Sequence, residues 1–179
     1  MIYLFLLIFI LALVVVWTVK NGISPMPSST KASKVIASLL PDVEGPVYEL
    51  GSGWGHLLLL LCKKYPHHPV VGIESSPIPY LFSKVLFIFL KRPNLSLIRQ
   101  DFFTRPLNDA SLVVCYLYPG AMEQLRDKFE KELKPGSLVI SNTFAVPGWK
   151  PEKTVTLDDM YCTKIYLYKA GKSDINDCT

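Results

Sequence analysis

The stretch VYELGSGWGHLLLLL, Val47 to Leu61, sets three glycines, Gly51, Gly53 and Gly55, between two apolar runs. Val47–Leu50 has the length and composition of a short buried strand, and His56–Tyr65 the pattern of a helix. A strand that ends in glycines and feeds directly into a helix is the phosphate- or nucleotide-binding turn of an α/β sheet. Glycine permits positive φ and close backbone approach, and the helix N-terminus presents N–H groups with no intrahelical partner. Glu49 places a carboxylate beside that turn.

Outward from the turn, strands and helices alternate. Val35, Ile36, Leu39 and Leu40 recur at helical spacing from Thr30 until Pro41 ends the helix. After the turn come a strand at Pro69–Ile73, a helix at Pro77–Lys91, strands at Leu95–Ile98 and Leu112–Leu117, and a helix at Ala121–Leu133. Strands at Leu138–Asn142, Thr154–Leu157 and Thr163–Tyr168 close the pattern. Alternation of this kind implies βαβ units. The expected fold is therefore α/β: a Rossmann-like, mostly parallel seven-stranded sheet with helices on both faces. The last two strands have no helix between them and read as a C-terminal antiparallel hairpin.

Two ligand classes compete for the glycine turn. A dinucleotide fingerprint is G-x-G-x-x-G, and Gly51-Ser52-Gly53-Trp54-Gly55-His56 brings the third glycine one residue early. The P-loop ending Gly-Lys-Ser/Thr is absent. Glu74 closes the second strand, where a carboxylate can accept from both hydroxyls of a ribose, and Ser75 follows it. A strand-end acid at this spacing serves dinucleotide folds equally well, so Glu74 alone does not discriminate. The glycine pattern and the hairpin do.

The 179 residues suffice for one ordinary domain. Mean hydropathy is +0.28, and the apolar excess is concentrated at the start. Ile2 to Val19 carries no charge over 18 residues, close to the ~20 that span a bilayer. A cleaved signal peptide would want a basic side chain before the run and small residues after it, and neither is present. The expected organisation is a transmembrane helix at residues 1–20, a Gly/Pro/Ser-rich linker at 21–29, one domain at 30–170 and a flexible tail at 171–179. Lys20, Lys31 and Lys34 follow the span, which by the positive-inside bias places the domain on the cytoplasmic side of a single-pass membrane protein. The net charge of +4 is mild, and no basic run interleaved with aromatics suggests a nucleic-acid groove. Cys62, Cys115, Cys162 and Cys178 form no CxxC, and His56, His67 and His68 lack metal-ligand spacing. Neither disulfides nor a metal site is expected.

With these residues in view, ELGSGWG (Glu49–Gly55) resembles motif I of the class I S-adenosylmethionine-dependent methyltransferases. VVGIES resembles the second motif, with an acid at the end of strand two, and IRQDFF the third. SLVVCYLYP and LKPGSLVISNTF stand where motif IV and strand five belong. The resemblance covers about Pro25 to Lys169. More narrowly, the apolar start, PMPSS, DFF and YLYPGAM are similar to the small membrane-anchored lysine methyltransferases of the ATP synthase c-subunit and adenine nucleotide translocase type. Trp54 and His56 depart from the family pattern. Pro106 and Asn108 break the segment between Asp101 and Leu112, so the usual third helix is expected as a turn.

The resemblance implies S-adenosyl-L-methionine as cofactor, with Glu49, Gly51, Ser52, Gly53, Gly55, Glu74, Ser75, Asp101 and Phe102 around it. Glu49 suits the amino group of the methionine moiety, and Asp101 either contacts the adenine amino group or is a plain helix cap. Tyr116 and Tyr118 alternate at the end of the fourth strand. With Asp101 they are the candidates to orient a nucleophile, or one of them simply packs against the helices. Ser28 or Ser29 suits the N-cap of the first helix. Pro77–Leu90 is apolar nearly all round, so either it is fully buried or one side lies on a bilayer. Three functions follow: methylation of lysine in a membrane protein, methylation of a small or lipid-like acceptor, or cofactor binding without catalysis.

Overall fold

The computed structural model describes residues 29–171. The expected transmembrane helix, all of the linker but Ser29, and the tail beyond Gly171 lie outside the described residues. Within them the order is α1 (Thr30–Leu39), β1 (Val47–Leu50), α2 (His56–Lys64), β2 (Val70–Glu74), α3 (Pro77–Leu90), β3 (Leu95–Arg99), β4 (Leu112–Cys115), α4 (Pro119–Glu132), β5 (Leu138–Asn142), β6 (Lys153–Thr156) and β7 (Lys164–Lys169). No helix among the described residues is long and apolar enough to cross a membrane.

Ser29 is the N-cap of α1, its hydroxyl accepting the Ala32 N–H at 3.1 Å. Proline at the first turn starts α3 and α4, where its missing N–H costs no hydrogen bond. Strand order is β3-β2-β1-β4-β5-β7-β6. The first five strands are parallel, and β7 runs antiparallel between β5 and β6, which is the expected hairpin. The sequence direction reverses at β1, flanked by β2 on one side and β4 on the other. That is the switch point at which open α/β sheets bind ligands beyond the carboxyl ends of their strands.

Alternation along each strand divides the apolar residues into two cores. On one face, Val47, Val70, Leu112 and Ile140 meet α1, α2 and Phe87 of α3. On the other, Tyr48, Leu50, Ile73, Val113 and Val139 meet Ala121, Met122, Leu125 and Phe129 of α4. Phe102, Leu107 and Ala110 join this second core from a segment of turns, where the usual third helix is replaced as its breakers predict.

One expectation shifts, and one open alternative is decided. β4 ends at Cys115, not Leu117, because Cys115 pairs with Ser141 and the chain then turns toward Pro119. Tyr116–Tyr118 are therefore loop. α3 is not fully buried: Ile78, Leu81, Phe82, Val85, Ile88 and Phe89 are exposed, and only Pro79, Ser83 and Phe87 are buried. It lies by edge strand β3, and nothing among the described residues covers its outer side.

Candidate cofactor site

The site begins with the backbone of the glycine turn. The N–H groups of Gly51 and Ser52 both donate to the Ile73 carbonyl, at 2.9 and 3.0 Å. Gly53 N–H donates to Oε2 of Glu74 at 2.7 Å, and Ser83 of α3 donates its hydroxyl to the Gly53 carbonyl at 2.8 Å. Gly55 N–H closes the turn on the Ser52 carbonyl at 2.9 Å. The turn is thus attached to β2 and α3 before any ligand arrives.

All three glycines have positive φ, +73°, +51° and +79°, but their surroundings differ. A Cβ on Gly51 would lie 2.8 Å from Cδ2 of Leu117, and one on Gly55 2.8 Å from Cε2 of Phe87. Both positions are crowded by the protein's own packing. A Cβ on Gly53 would find nothing nearer than the Gly51 carbonyl oxygen at 4.0 Å. Gly53 lines open space.

The acidic groups divide similarly. Glu74 is buried, and its two oxygens each accept one backbone N–H, from Gly53 and from Ser76, both at 2.7 Å. Beyond its expected place as a ligand for hydroxyls, Glu74 therefore braces the turn. A carboxylate has about four lone-pair sites, so capacity for a diol remains. Glu49 is also buried, in register with Gly72 and Val114, and its Oε2 has no hydrogen-bond partner. Burial pushes its carboxyl well above the usual carboxylate range, and the neighbouring Glu74 charge adds to the shift. Ser52 Oγ, in the same turn, is likewise buried without a partner. Buried polar groups are rarely left unsatisfied in a folded protein, and these two belong to the strand end and turn that carry Gly53.

The remaining candidates lie at the same edge of the sheet. Ser75 is exposed between Glu74 and Ser76. Gln100 N–H donates to the Glu74 carbonyl at 3.3 Å, which ties the following turn to the end of β2. Asp101 is exposed and caps that turn, its Oδ1 accepting Phe103 N–H at 2.9 Å. Phe102 points into the α4-side core, away from the face that carries Glu49. Tyr116 and Tyr118 are half-buried beyond β4, and the Tyr118 carbonyl accepts the N–H groups of Ala121 and Met122 that open α4. Cys115, at the end of β4, is no nucleophile, since burial pushes its thiol up to about 12.

Sequence reasoning does not single out Ser83 and Leu117 as supports of the turn. A lone small polar residue inside an apolar helix is the available signal for Ser83. Thr143 has none. It closes β5 at φ +70°, with Phe144 N–H donating to the Asn142 carbonyl at 2.9 Å. This tight turn is strained for a β-branched residue.

Residues 49–153 match the ANTKMT methyltransferase domain. The chain belongs to this family. Over 130 residues it is 30% identical to a protein-lysine N-methyltransferase of Saccharolobus islandicus, covering 70% of this chain and 80% of that one. It is 28% identical to two mouse proteins, the lysine N-methyltransferase of the ATP synthase c-subunit and that of the adenine nucleotide translocase. The match spans only 52% and 56% of those two mouse proteins. Among solved structures, an RNA methyltransferase from Salinibacter ruber in complex with S-adenosyl-L-homocysteine superposes with TM-score 0.75 at 24% identity, over 86% of this chain and 99% of that one. At that identity the likeness establishes the fold.

The protein is thus a class I methyltransferase with S-adenosyl-L-methionine as its cofactor. The residues present fit that molecule. Glu49 offers an unpartnered buried carboxyl for an ammonium group, Glu74 retains acceptor capacity for a ribose, and Gly53 leaves the approach open.

Proposed function

We propose that the protein methylates a lysine side chain in a membrane-associated protein. The observation that carries this reading is the 30% identity, over 130 residues, to a protein-lysine N-methyltransferase. The two mouse relatives, whose names specify an ATP synthase component and a nucleotide translocase as acceptors, favour a membrane protein as substrate. Residues 2–19, apolar and uncharged, would hold the chain in the same membrane, with the domain on its cytoplasmic side.

The bound cofactor supplies a methyl group on a sulfonium, already activated for in-line displacement. The chain's own tasks are binding, alignment and exclusion of water. Glu49 takes the amino group, losing its proton as the cation replaces the missing partner. Glu74 holds the ribose while bracing Gly53. A lysine nucleophile must arrive deprotonated, and Asp101, Tyr116 and Tyr118 are the groups we assign to orienting it.

Transfer of tritiated methyl from S-adenosylmethionine into a membrane fraction, followed by separation of protein from lipid, tests the reading. Label in protein, recovered as methyl-lysine after hydrolysis, supports it. Label in the lipid extract would make the acceptor a lipid-like molecule, and no transfer despite cofactor binding would indicate a non-catalytic role. Carbonate extraction of the full chain tests the anchor separately.

A further inference from the structure

α3 is built inside out. The side it turns to the sheet carries Pro79, Ser83 and Phe87. The side it turns outward carries Ile78, Leu81, Phe82, Val85, Ile88 and Phe89, with Ile88 64% and Phe89 79% exposed. Their spacing of three and four residues places all six on one stripe along the helix. Contiguous apolar surface of this kind marks an interaction site, and its surroundings indicate which kind.

We infer that the outer face of α3 lies in the plane of a lipid bilayer as an interfacial helix, beside the apolar segment at residues 2–19. At 14 residues it is about 21 Å long, too short for the ~30 Å of a span, and it is fixed into a βαβ unit. It can lie on a membrane but not cross it. From Pro77 to Arg92 there is no acid, while Lys84, Lys91 and Arg92 are basic. Lys84 shares the apolar stripe with Leu81 and Ile88 and has its ammonium 5.6 Å from the Tyr80 ring. Against a second copy of α3 it would meet another cation with no acid on either helix. Against a bilayer its stem lies along the acyl boundary while the ammonium reaches anionic headgroups. Trp54, in the glycine turn, packs edge-on against Phe82 at 5.2 Å, which adds an amphipathic ring of the type favoured at membrane interfaces. The apolar, uncharged residues 2–19 precede the domain in the same chain, which favours a bilayer as the occupant of this face.

The contact also places the cofactor turn near the membrane surface, since Ser83 and Phe87 of the same helix touch Gly53 and Gly55. It does not depend on which acceptor is methylated. The test uses the full chain carrying Cys162→Ser and Cys178→Ser, reconstituted into phosphatidylcholine vesicles with and without phosphatidylglycerol. Nitroxide labels are placed at Val85→Cys, at Phe89→Cys and, as a control on the opposite face of the sheet, at Glu123→Cys. Labels at 85 and 89 should be severalfold more accessible to oxygen and less accessible to a nickel chelate than the label at 123, more so with phosphatidylglycerol. Adding Leu81→Glu and Ile88→Glu should return the label at 85 to water while cofactor affinity stays unchanged. Labels at 85 and 89 as water-accessible as that at 123 would overturn the inference, as would failure of the full chain to float with vesicles. So would shielding from both reagents with spin–spin broadening, which indicates a second copy, or shielding only when an acceptor protein is added.

Discussion

Ser83, a buried hydroxyl within an otherwise apolar helix, donates to the carbonyl oxygen of Gly53 at 2.8 Å. One side-chain hydrogen bond thus connects α3 to the middle of the cofactor turn. Ser83→Ala leaves that carbonyl without its bond and should cost about 1 kcal/mol of stability. It should also weaken cofactor binding severalfold, because the turn is no longer held in place beforehand. Urea unfolding and titration calorimetry read the two effects. Loss of stability with unchanged affinity would confine Ser83 to the fold.

The three glycines should separate by substitution. Gly53→Asp meets no protein atom nearer than 4.0 Å at its Cβ, and Asp tolerates the left-handed region better than most residues. The domain should fold, and cofactor binding should disappear, since the side chain enters the approach path and adds negative charge near Glu49 and Glu74. Gly51→Ala, whose Cβ would lie 2.8 Å from Leu117, should instead lower the melting temperature. Normal affinity in a folded Gly53→Asp would remove the turn from the cofactor site.

Glu49 couples binding to pH. Its carboxyl is pushed well above the usual range by burial and by Glu74, so the folded domain binds a proton that the unfolded chain has released. With the folded value above the unfolded one, this contribution is full below the ordinary value of 4.5. It is lost as pH rises toward the raised value. Glu49→Gln should therefore stabilise the cofactor-free domain on the alkaline side. The same substitution should cost about 1.5–3 kcal/mol of cofactor affinity, the worth of a charge-assisted hydrogen bond. In the wild type, binding should release protons, seen as a dependence of the calorimetric heat on the buffer's ionisation enthalpy.

Glu74→Ala removes two acceptors of backbone N–H groups as well as the proposed ribose contact. Cofactor affinity should fall by about 1–3 kcal/mol, and thermal stability should fall too, because Gly53 and Ser76 lose their partners. Glu74→Gln keeps an oxygen for one of them and should fall between. Wild-type affinity in both variants, with normal circular dichroism, would leave Glu74 a brace only.

Much of this is legible in local sequence. The join from Leu50 through Gly55 to His56 defines itself, because a strand, positive-φ residues and a helix start are adjacent in the chain. Pro106 and Asn108 announce the turns that stand in place of a helix. Strand ends are less legible. β4 stops at Cys115 because its last partner on β5 is Ser141, a fact of pairing that LVVCYL does not contain. Ser83, Leu117 and Thr143 escape for a similar reason: each matters through a residue distant in sequence or through a backbone angle.

The sequence by itself determined the α/β class, the glycine turn and its two acids, since these rest on period, spacing and residue chemistry within short windows. Only the tertiary structure decided which glycine faces open space, which acid lacks a partner, and which side of α3 is left bare. Those properties belong to the space between elements. Leu117 and Phe87 crowd Gly51 and Gly55 while nothing crowds Gly53. Two backbone N–H groups occupy Glu74 while none reaches Oε2 of Glu49. An apolar helix is buried all round only where other elements exist to cover it, and beside the edge strand β3 they cover one side.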